Sequence, residues 1–148
     1  MTDIEELKER AKVGWASFIS FEALTSTAAP KLVQFSGARQ GMKLLDVACG
    51  TGVVALTASR QGVEVEGIDL TPELISRAIE NSKIMGLKAK FVEGDAEFLP
   101  YKENEFDVIL SQYGHMFAPR PSVVVKELAR VLKPGGILAF STWPKELF

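Results

Sequence analysis

The 148 residues contain one cysteine and one histidine. A single thiol excludes an internal disulfide and suits a reducing compartment. A single imidazole excludes a metal centre built from several histidines. No apolar run approaches the ~18 residues that a membrane-spanning helix needs. The N-terminus is acidic and amphipathic, unlike a secretory or transit leader. Together these features make the cytoplasm the expected compartment, with no membrane partner. Charge of one sign is also missing. Seventeen Lys and Arg stand against nineteen Asp and Glu, for a formal charge of −2. No whole-chain field therefore draws nucleic acid or an anionic surface. Repeats, low-complexity tracts and linkers are absent, so the chain reads as one domain. Its length allows about 70% of the unfolded surface to be buried.

The most informative stretch is Asp46-Val47-Ala48-Cys49-Gly50-Thr51-Gly52. An apolar run from Met42 to Val47 leads into it, and a helix-like run from Val53 to Arg60 leads out. A strand thus ends in an acid, turns on two glycines and opens into a helix. Glycines let a ligand approach the backbone, and a helix start offers unpaired N–H groups. Gly50, Gly52 and Ala55 also fit the loose G-x-G-x-x-G/A spacing of dinucleotide folds, a pattern that ordinary βα turns share. A second acid sharpens the reading. Val63 to Asp69 reads as another strand, and Asp69 follows Gly50 by 69 − 50 = 19 positions. An acid about 20 residues after such a loop binds ribose hydroxyls in doubly wound folds. Thr71 before Pro72 is the better cap for the next helix, which leaves Asp69 free for a ligand.

The remaining chain alternates. Thr2 and Glu5 fit a capping box, and Ile4, Leu7, Ala11, Trp15 and Phe18 recur at helical spacing. A second helical run, Phe21 to Ser36, contains Pro30, which should bend or divide it. The helix after Pro72 places Leu74, Ile75, Ala78, Ile79, Ser82 and Met85 on one face, with Gly86 as its C-cap. Lys88 to Glu93 and Phe106 to Leu110 read as strands three and four, the latter central and covered on both faces. Ser122 to Leu132 reads as a helix closed by Lys133-Pro134-Gly135-Gly136, and Ile137 to Phe140 as strand five. The expected fold is α/β, a doubly wound, mostly parallel Rossmann-like sheet. Residues 1–41 form an N-terminal helical segment and residues 42–148 the core. Asp46, Asp69, Asp95 and Ser111 should share the rim at the carboxyl ends of strands one to four, where such sheets bind ligands.

D-V-A-C-G-T-G, G-I-D-L-T, G-D-A-E-F-L-P, F-D-V-I-L-S and L-K-P-G-G, in that order from Met42 to Thr142, resemble the class I S-adenosylmethionine-dependent methyltransferases. The nearest flavour is the group that includes the quinone-biosynthesis C-methyltransferases. The resemblance implies S-adenosyl-L-methionine as cofactor and a small molecule as methyl acceptor. Backbone around Ala48, Cys49, Gly50 and Gly52 would hold the methionine part, and Asp46 would act on its amino group. Asp69 would take the ribose hydroxyls and Leu70 would pack on adenine. Asp95 and the Ala96 N–H would read the adenine edge, and the Ser111 carbonyl would meet the ammonium. The sulfonium already activates the methyl group, so the protein mainly supplies alignment. A base is needed only when the acceptor must lose a proton.

The family usually continues past strand five with a helix and two further strands, whereas this sequence ends at Phe148. The expectation is a chain lacking those strands, either a fragment or a truncated gene product, whose apolar edge Ile137 to Phe140 pairs two copies into a homodimer or is covered by the tail from Thr142. Cys49 reads as a tolerated loop residue rather than a nucleophile. His115 and Tyr113 follow strand four beside the expected methyl position, where either a base or a packing residue fits. Trp15 and Phe18 read as helix-packing residues, with covering the cofactor as the alternative. Lys8, Arg10 and Lys12 read as a solvated face. Two rival functions stay open: an NAD-dependent oxidoreductase and a non-catalytic cofactor-binding module.

Overall fold

The computed structural model describes residues 3–144. The capping residue proposed at Thr2 lies outside them, as does the end of the proposed covering tail. Four helical pieces precede the sheet: α1 (Asp3–Ala16), a 3-10 turn (Ser17–Phe21), α2 (Glu22–Ser26) and α3 (Ala29–Ser36). Pro30 lies in the first turn of α3, where a missing N–H costs nothing. It therefore divides the expected run instead of bending it. Gly37 then closes α3 in the left-handed conformation.

The core follows the expected alternation. Its elements are β1 (Lys43–Val47), α4 (Val53–Ser59), β2 (Glu64–Asp69), α5 (Pro72–Met85), β3 (Ala89–Glu93), β4 (Phe106–Gln112), a 3-10 turn (Gly114–Phe117), α6 (Pro121–Val131) and β5 (Leu132–Ser141). The strands lie in the order β3-β2-β1-β4-β5, all parallel. The chain winds outward from β1 through β2 to β3, then crosses to the other side of β1 for β4. The sheet thus reverses direction between β1 and β4.

Alternation along each strand sorts the core into two layers. Leu44, Val65, Val108 and Leu110 meet α3, α4 and α5 through Val33, Val54, Ala58 and Ala78. On the other face Leu45, Val47, Ile68 and Ile109 meet α6 through Val124, Leu128 and Val131. β1 is the central strand and β4 lies beside it, inside the edge strand β5 rather than at the centre; β4 is covered on both faces, with Phe106, Val108, Ile109 and Leu110 fully buried. On α5, Leu74, Ile75, Ala78 and Ser82 are buried as expected, but Ile79 and Met85 are exposed and Asn81 takes a buried place.

The Lys-Pro-Gly-Gly segment differs from expectation. It does not close α6 with a left-handed cap, because Leu132 is already extended and pairs with Phe106. Pairing resumes at Val108 with Ile137, so Lys133 to Gly136 bulge out opposite Asp107. Lys133 Nζ reaches back to Asp107 at 2.8 Å and ties the bulge to β4. The two sheet edges also contrast. β3 carries Lys90 and Glu93 with exposed side chains, charges that discourage strand addition. β5 presents Ile137, Leu138 and Phe140 partly exposed.

Gly52 and Phe91 lock the glycine loop onto the sheet. Gly52 has φ +83°, and a Cβ there would lie 2.8 Å from Phe91 Cζ and 3.2 Å from Ala78 Cβ. Gly52→Ala should therefore cost about 2 kcal/mol or more, from backbone strain plus overpacking. Urea denaturation reads this directly. Trimming the ring with Phe91→Leu should recover part of the loss in the double variant, and strict additivity would contradict the contact.

Candidate functional site

The carboxyl ends of β1, β2 and β4 open into a cavity of about 330 Å³ at the point where the sheet reverses direction. Residues from α1, the 3-10 turn after it and α2 also line it. Such a crevice is the usual ligand position in an open α/β sheet, and its volume lies in the range of small-molecule pockets.

Asp46, in β1, sits at the base of the cavity. Its Oδ2 accepts the Ala55 N–H at 3.0 Å, which satisfies one free donor in the first turn of α4. Its Oδ1 is buried with no hydrogen-bond partner among the described residues. Burial pushes the Asp46 carboxyl up to about 8; the Ala55 N–H opposes the shift and the Asp69 charge adds to it.

The chain then turns through Ala48, with φ +56°, and Gly50, with φ +53°. A Cβ on Gly50 would meet nothing within 4 Å, and Gly50 lines the cavity. At Ala48 the Gly114 backbone presses close, and a Cβ on Gly114 would collide with it. Cys49 is buried and its thiol is pushed well above its ordinary range by burial, with Asp46 and Asp69 adding to the shift. It is a protonated packing group, which agrees with the loop-residue reading.

Asp69, at the end of β2, is more committed than expected. Oδ2 accepts the Gly50 N–H at 2.8 Å and Oδ1 accepts the Thr71 N–H at 2.9 Å. Thr71 does begin α5, but it makes no side-chain cap, so Asp69 supplies the loop's hydrogen bonds. Burial raises the Asp69 carboxyl, and the Thr71 and Gly50 N–H groups act against that shift. Each carboxylate oxygen retains a lone pair for a second donor.

Asp95 is also partnered. Its Oδ1 accepts the Glu97 N–H at 2.9 Å and its Oδ2 accepts Lys8 Nζ at 2.6 Å. Lys8 also bonds Glu97, which in turn holds the Arg120 guanidinium and backbone N–H. Burial works against charge on Glu97, but its bonds to Arg120 and Lys8 outweigh this and hold the carboxyl below its usual value. Lys8 thus does not belong to a solvated face; its side chain is 13% exposed and fastens α1 to the loop after β3. Three further bonds fasten α2. Glu22 meets Arg77 and Asn81 of α5, and the Thr25 carbonyl accepts from Gln112 at 2.9 Å.

The walls are aromatic. Trp15, Phe18, Phe21, Tyr113, Phe117 and Trp143 all line the cavity. Trp15 lies 4.7 Å from both Phe18 and Phe117, Phe18 stacks on Phe21 at 4.7 Å, and Tyr113 stacks on Trp143 at 4.1 Å between centroids. Trp15 and Phe18 therefore cover the cavity, against the helix-packing preference drawn from sequence.

Of the residues singled out from sequence, Asp46, Ala48, Cys49, Gly50, Asp69, Leu70, Asp95 and Ala96 line this one cavity. Gly52 and Ser111 do not. Gly52 faces Phe91. Ser111 is fully buried, and its hydroxyl donates to the Val47 carbonyl at 2.6 Å. Gln112 and Tyr113 form the wall beside it. Lys8, Glu22 and Thr25 were missed, since their partners are distant in sequence.

Comparison with known proteins agrees with this geometry. Residues 45–140 match the family described as "Methyltransferase domain". The chain is 43% identical over 127 residues to an uncharacterized protein of Mycobacterium tuberculosis (strain ATCC 25618 / H37Rv), covering 86% of this chain and 46% of that protein. It is 39% identical over 111 residues to the demethylmenaquinone methyltransferase of Staphylococcus aureus (strain MRSA252), covering 73% of this chain and 46% of the relative. The chain thus spans about half the length of the curated relatives it matches. Among solved structures, a SAM-dependent methyltransferase from Aquifex aeolicus superposes with a TM-score of 0.73 at 28% identity, covering 79% of this chain and 64% of that one. With the family match spanning most of the sheet and the glycine loop seated at its point of reversal, this chain belongs to the class I S-adenosylmethionine-dependent methyltransferases.

Proposed function

We propose that this chain binds S-adenosylmethionine in the cavity above β1 and β2 and directs its methyl group to a small, planar, hydroxylated aromatic acceptor. One observation carries the reading. The buried, unpartnered Asp46 Oδ1 and the open approach at Gly50 lie in the same cavity. An ammonium supplies the donor that Asp46 lacks, and an uncrowded glycine admits the methionine chain beside it. Asp69 takes the ribose hydroxyls on its remaining lone pairs, Leu70 packs on adenine, and Asp95 with the Ala96 N–H reads the adenine edge. The sulfonium supplies the activated methyl group; the chain's own residues bind, orient and exclude water.

The acceptor class rests on the aromatic walls, which favour flat apolar rings over sugars or peptides. The relative named demethylmenaquinone methyltransferase supports the same class. We also propose that the unpaired apolar edge of β5 joins a second copy of this chain, and that the chain works in the cytoplasm. Among the described residues no helix is long and apolar enough to cross a membrane.

Calorimetric titration tests the cofactor assignment: S-adenosylhomocysteine binds and NADH does not, and the reverse result overturns it. Asp69→Ala should weaken S-adenosylhomocysteine at least about tenfold, since charge-assisted bonds are worth roughly 1.5–3 kcal/mol. It should also lower the melting temperature, because the Gly50 and Thr71 N–H groups lose their acceptor. Gly50→Val should abolish binding at a modest stability cost of about 1 kcal/mol or slightly more, arising from positive φ alone.

The Asp46 carboxyl, at about 8, gives a pH signature. An ammonium binds its ionised form, so below pH 8 binding must first expel the proton. Affinity should fall as pH drops from 8 to 6, with protons released on binding, seen as a calorimetric enthalpy that changes with buffer. Stability of the ligand-free chain should move the other way. A raised acid stabilises the fold most below its unfolded value, and that contribution is lost as pH rises through about 8. Asp46→Asn should flatten both dependences. Dynamic light scattering at several concentrations checks the pairing of copies, and Leu138→Lys should shift any dimer toward monomer.

A further inference from the structure

His115 is the only histidine of the chain, and it lines the cavity in the 3-10 turn after β4. Its ring stacks on Phe140 with centroids 4.3 Å apart, which fixes its plane. Nδ1 lies 3.2 Å from Ser111 Oγ. Which of these two atoms carries the shared proton follows from the other bonds of Ser111. The hydroxyl has one hydrogen and two lone pairs. The Val47 carbonyl can only accept, and it lies 2.6 Å from Oγ, far closer than Nδ1. The hydrogen therefore goes to Val47, and Oγ offers only lone pairs to His115. One lone pair takes the His115 backbone N–H at 3.3 Å, and the other takes Nδ1–H. The neutral ring is thus protonated on Nδ1, and Nε2 holds a bare lone pair. No hydrogen bond engages Nε2 among the described residues.

We propose that His115 Nε2 is the base that removes the acceptor's hydroxyl proton, held in its reactive tautomer by Ser111. This rests on the methyl-transfer reading above. The O–H bond of the acceptor breaks and its proton moves to Nε2. The pair released, on oxygen or on the conjugated ring carbon, forms the bond to the methyl carbon. The C–S bond breaks with its pair left on sulfur, which converts the sulfonium to a neutral thioether. A carbon-methylated ring then returns its ring proton to oxygen. His115 finally passes its proton to water.

Burial lowers the His115 pKa and keeps the imidazole neutral at physiological pH. The other titratable groups in the cavity are Lys8 and Glu22 of the roof, Asp46, Cys49 and Asp69 beneath it, and Asp95 and Tyr113 at its sides. None of them bonds the imidazole. Cys49 is held protonated by burial, while Lys8 and Glu22 are taken by ion pairs.

The test uses the full chain with S-adenosylhomocysteine bound. Because there is one histidine, a long-range ¹H–¹⁵N spectrum reports His115 without assignment. The expected spectrum shows protonated Nδ1 and bare Nε2, with Ser111→Ala shifting population toward the other tautomer. A native spectrum with protonated Nε2 overturns the proposal. Methyl transfer from S-adenosylmethionine to 1,4-naphthohydroquinone gives the functional arm. His115→Asn keeps a donor toward Ser111 but has no Nε2. It should lose about 10²-fold or more in kcat, retain S-adenosylhomocysteine affinity, and lose the rise of kcat with pH that tracks imidazole deprotonation. His115→Phe, which keeps the stack on Phe140, should match it. Rates within threefold of native in both variants overturn the base assignment. Absence of transfer by the native chain while S-adenosylhomocysteine binds overturns the assignment for this acceptor class. Failure of S-adenosylhomocysteine to bind overturns the methyltransferase reading instead.

Discussion

Keeping two carboxyl groups out of water at the ends of adjacent parallel strands is the constraint on which the site depends. Unpartnered burial of a carboxylate is costly, so donors must be brought to it. Asp69 solves this with the Gly50 and Thr71 N–H groups. In doing so it draws the loop after β1 against the start of α5. Asp46 finds only the Ala55 N–H, in the first turn of α4. The glycine loop is therefore pinned between the two acids. Its left-handed residues, Ala48, Gly50 and Gly52, follow from the path that these bonds impose. The fold meets Asp69's need and leaves Asp46 short of a donor, and that shortfall is the chemistry of the empty space above β1.

The sheet was legible because its signals are local. Alternation in β2, continuous apolar residues in β4, and Pro72 and Gly86 at the two ends of α5 are each read within a few residues. The glycine loop and its offset to Asp69 carried the site for the same reason. Gly52 lies outside the cavity lining, which the sequence hides, because a glycine required by a neighbouring side chain looks identical there to one required by a ligand. Only the position of Phe91, 39 residues later, separates the two. The bonding of the Ser111 side chain had no local signal. The residue's place at the end of β4 was right, but its side chain faces Val47 rather than the cavity. The bulge at Lys133 to Gly136 read as a helix cap because proline and glycine mark both.

The roof was the least legible part. Along α1, lysine, arginine and glutamate alternate as on any exposed helix, and Lys8 differs from Lys12 only through Asp95 and Glu97, 87 and 89 residues away. Trp15 and Phe18 fit the spacing of a helix packed on a core. In the structure Trp15 packs on Phe18 and Phe117, and Phe18 stacks on Phe21, around a space. The chain thus spends large aromatic side chains where they leave a hollow. A segment with no buried residue of its own in α1 or α2 stays in place through a few ion pairs and hydrogen bonds to α5, β4 and the loop after β3.

The same charges separate the two cofactor classes that the glycine loop alone leaves open. A dinucleotide brings a pyrophosphate to the loop and needs free N–H groups there. Here the Gly50 N–H is already given to Asp69, and Asp46 lies beneath it. Two like charges about 5 Å apart repel by roughly 3 kcal/mol at an effective dielectric of 20, so Asp69 opposes an anion at this position. An anion would also drive Asp46 further toward its protonated form. A sulfonium with an ammonium does the reverse. In the proposed binding mode, a positive ligand would ionise Asp46, give Oδ1 its missing donor and leave the Asp69 bonds in place. Lys8, which could have balanced a phosphate, is held by Asp95 and Glu97. The rim is thus acidic where a cation must sit and neutralised where it need not. That distribution favours a cationic methyl donor over a nicotinamide dinucleotide and supports the proposed cofactor.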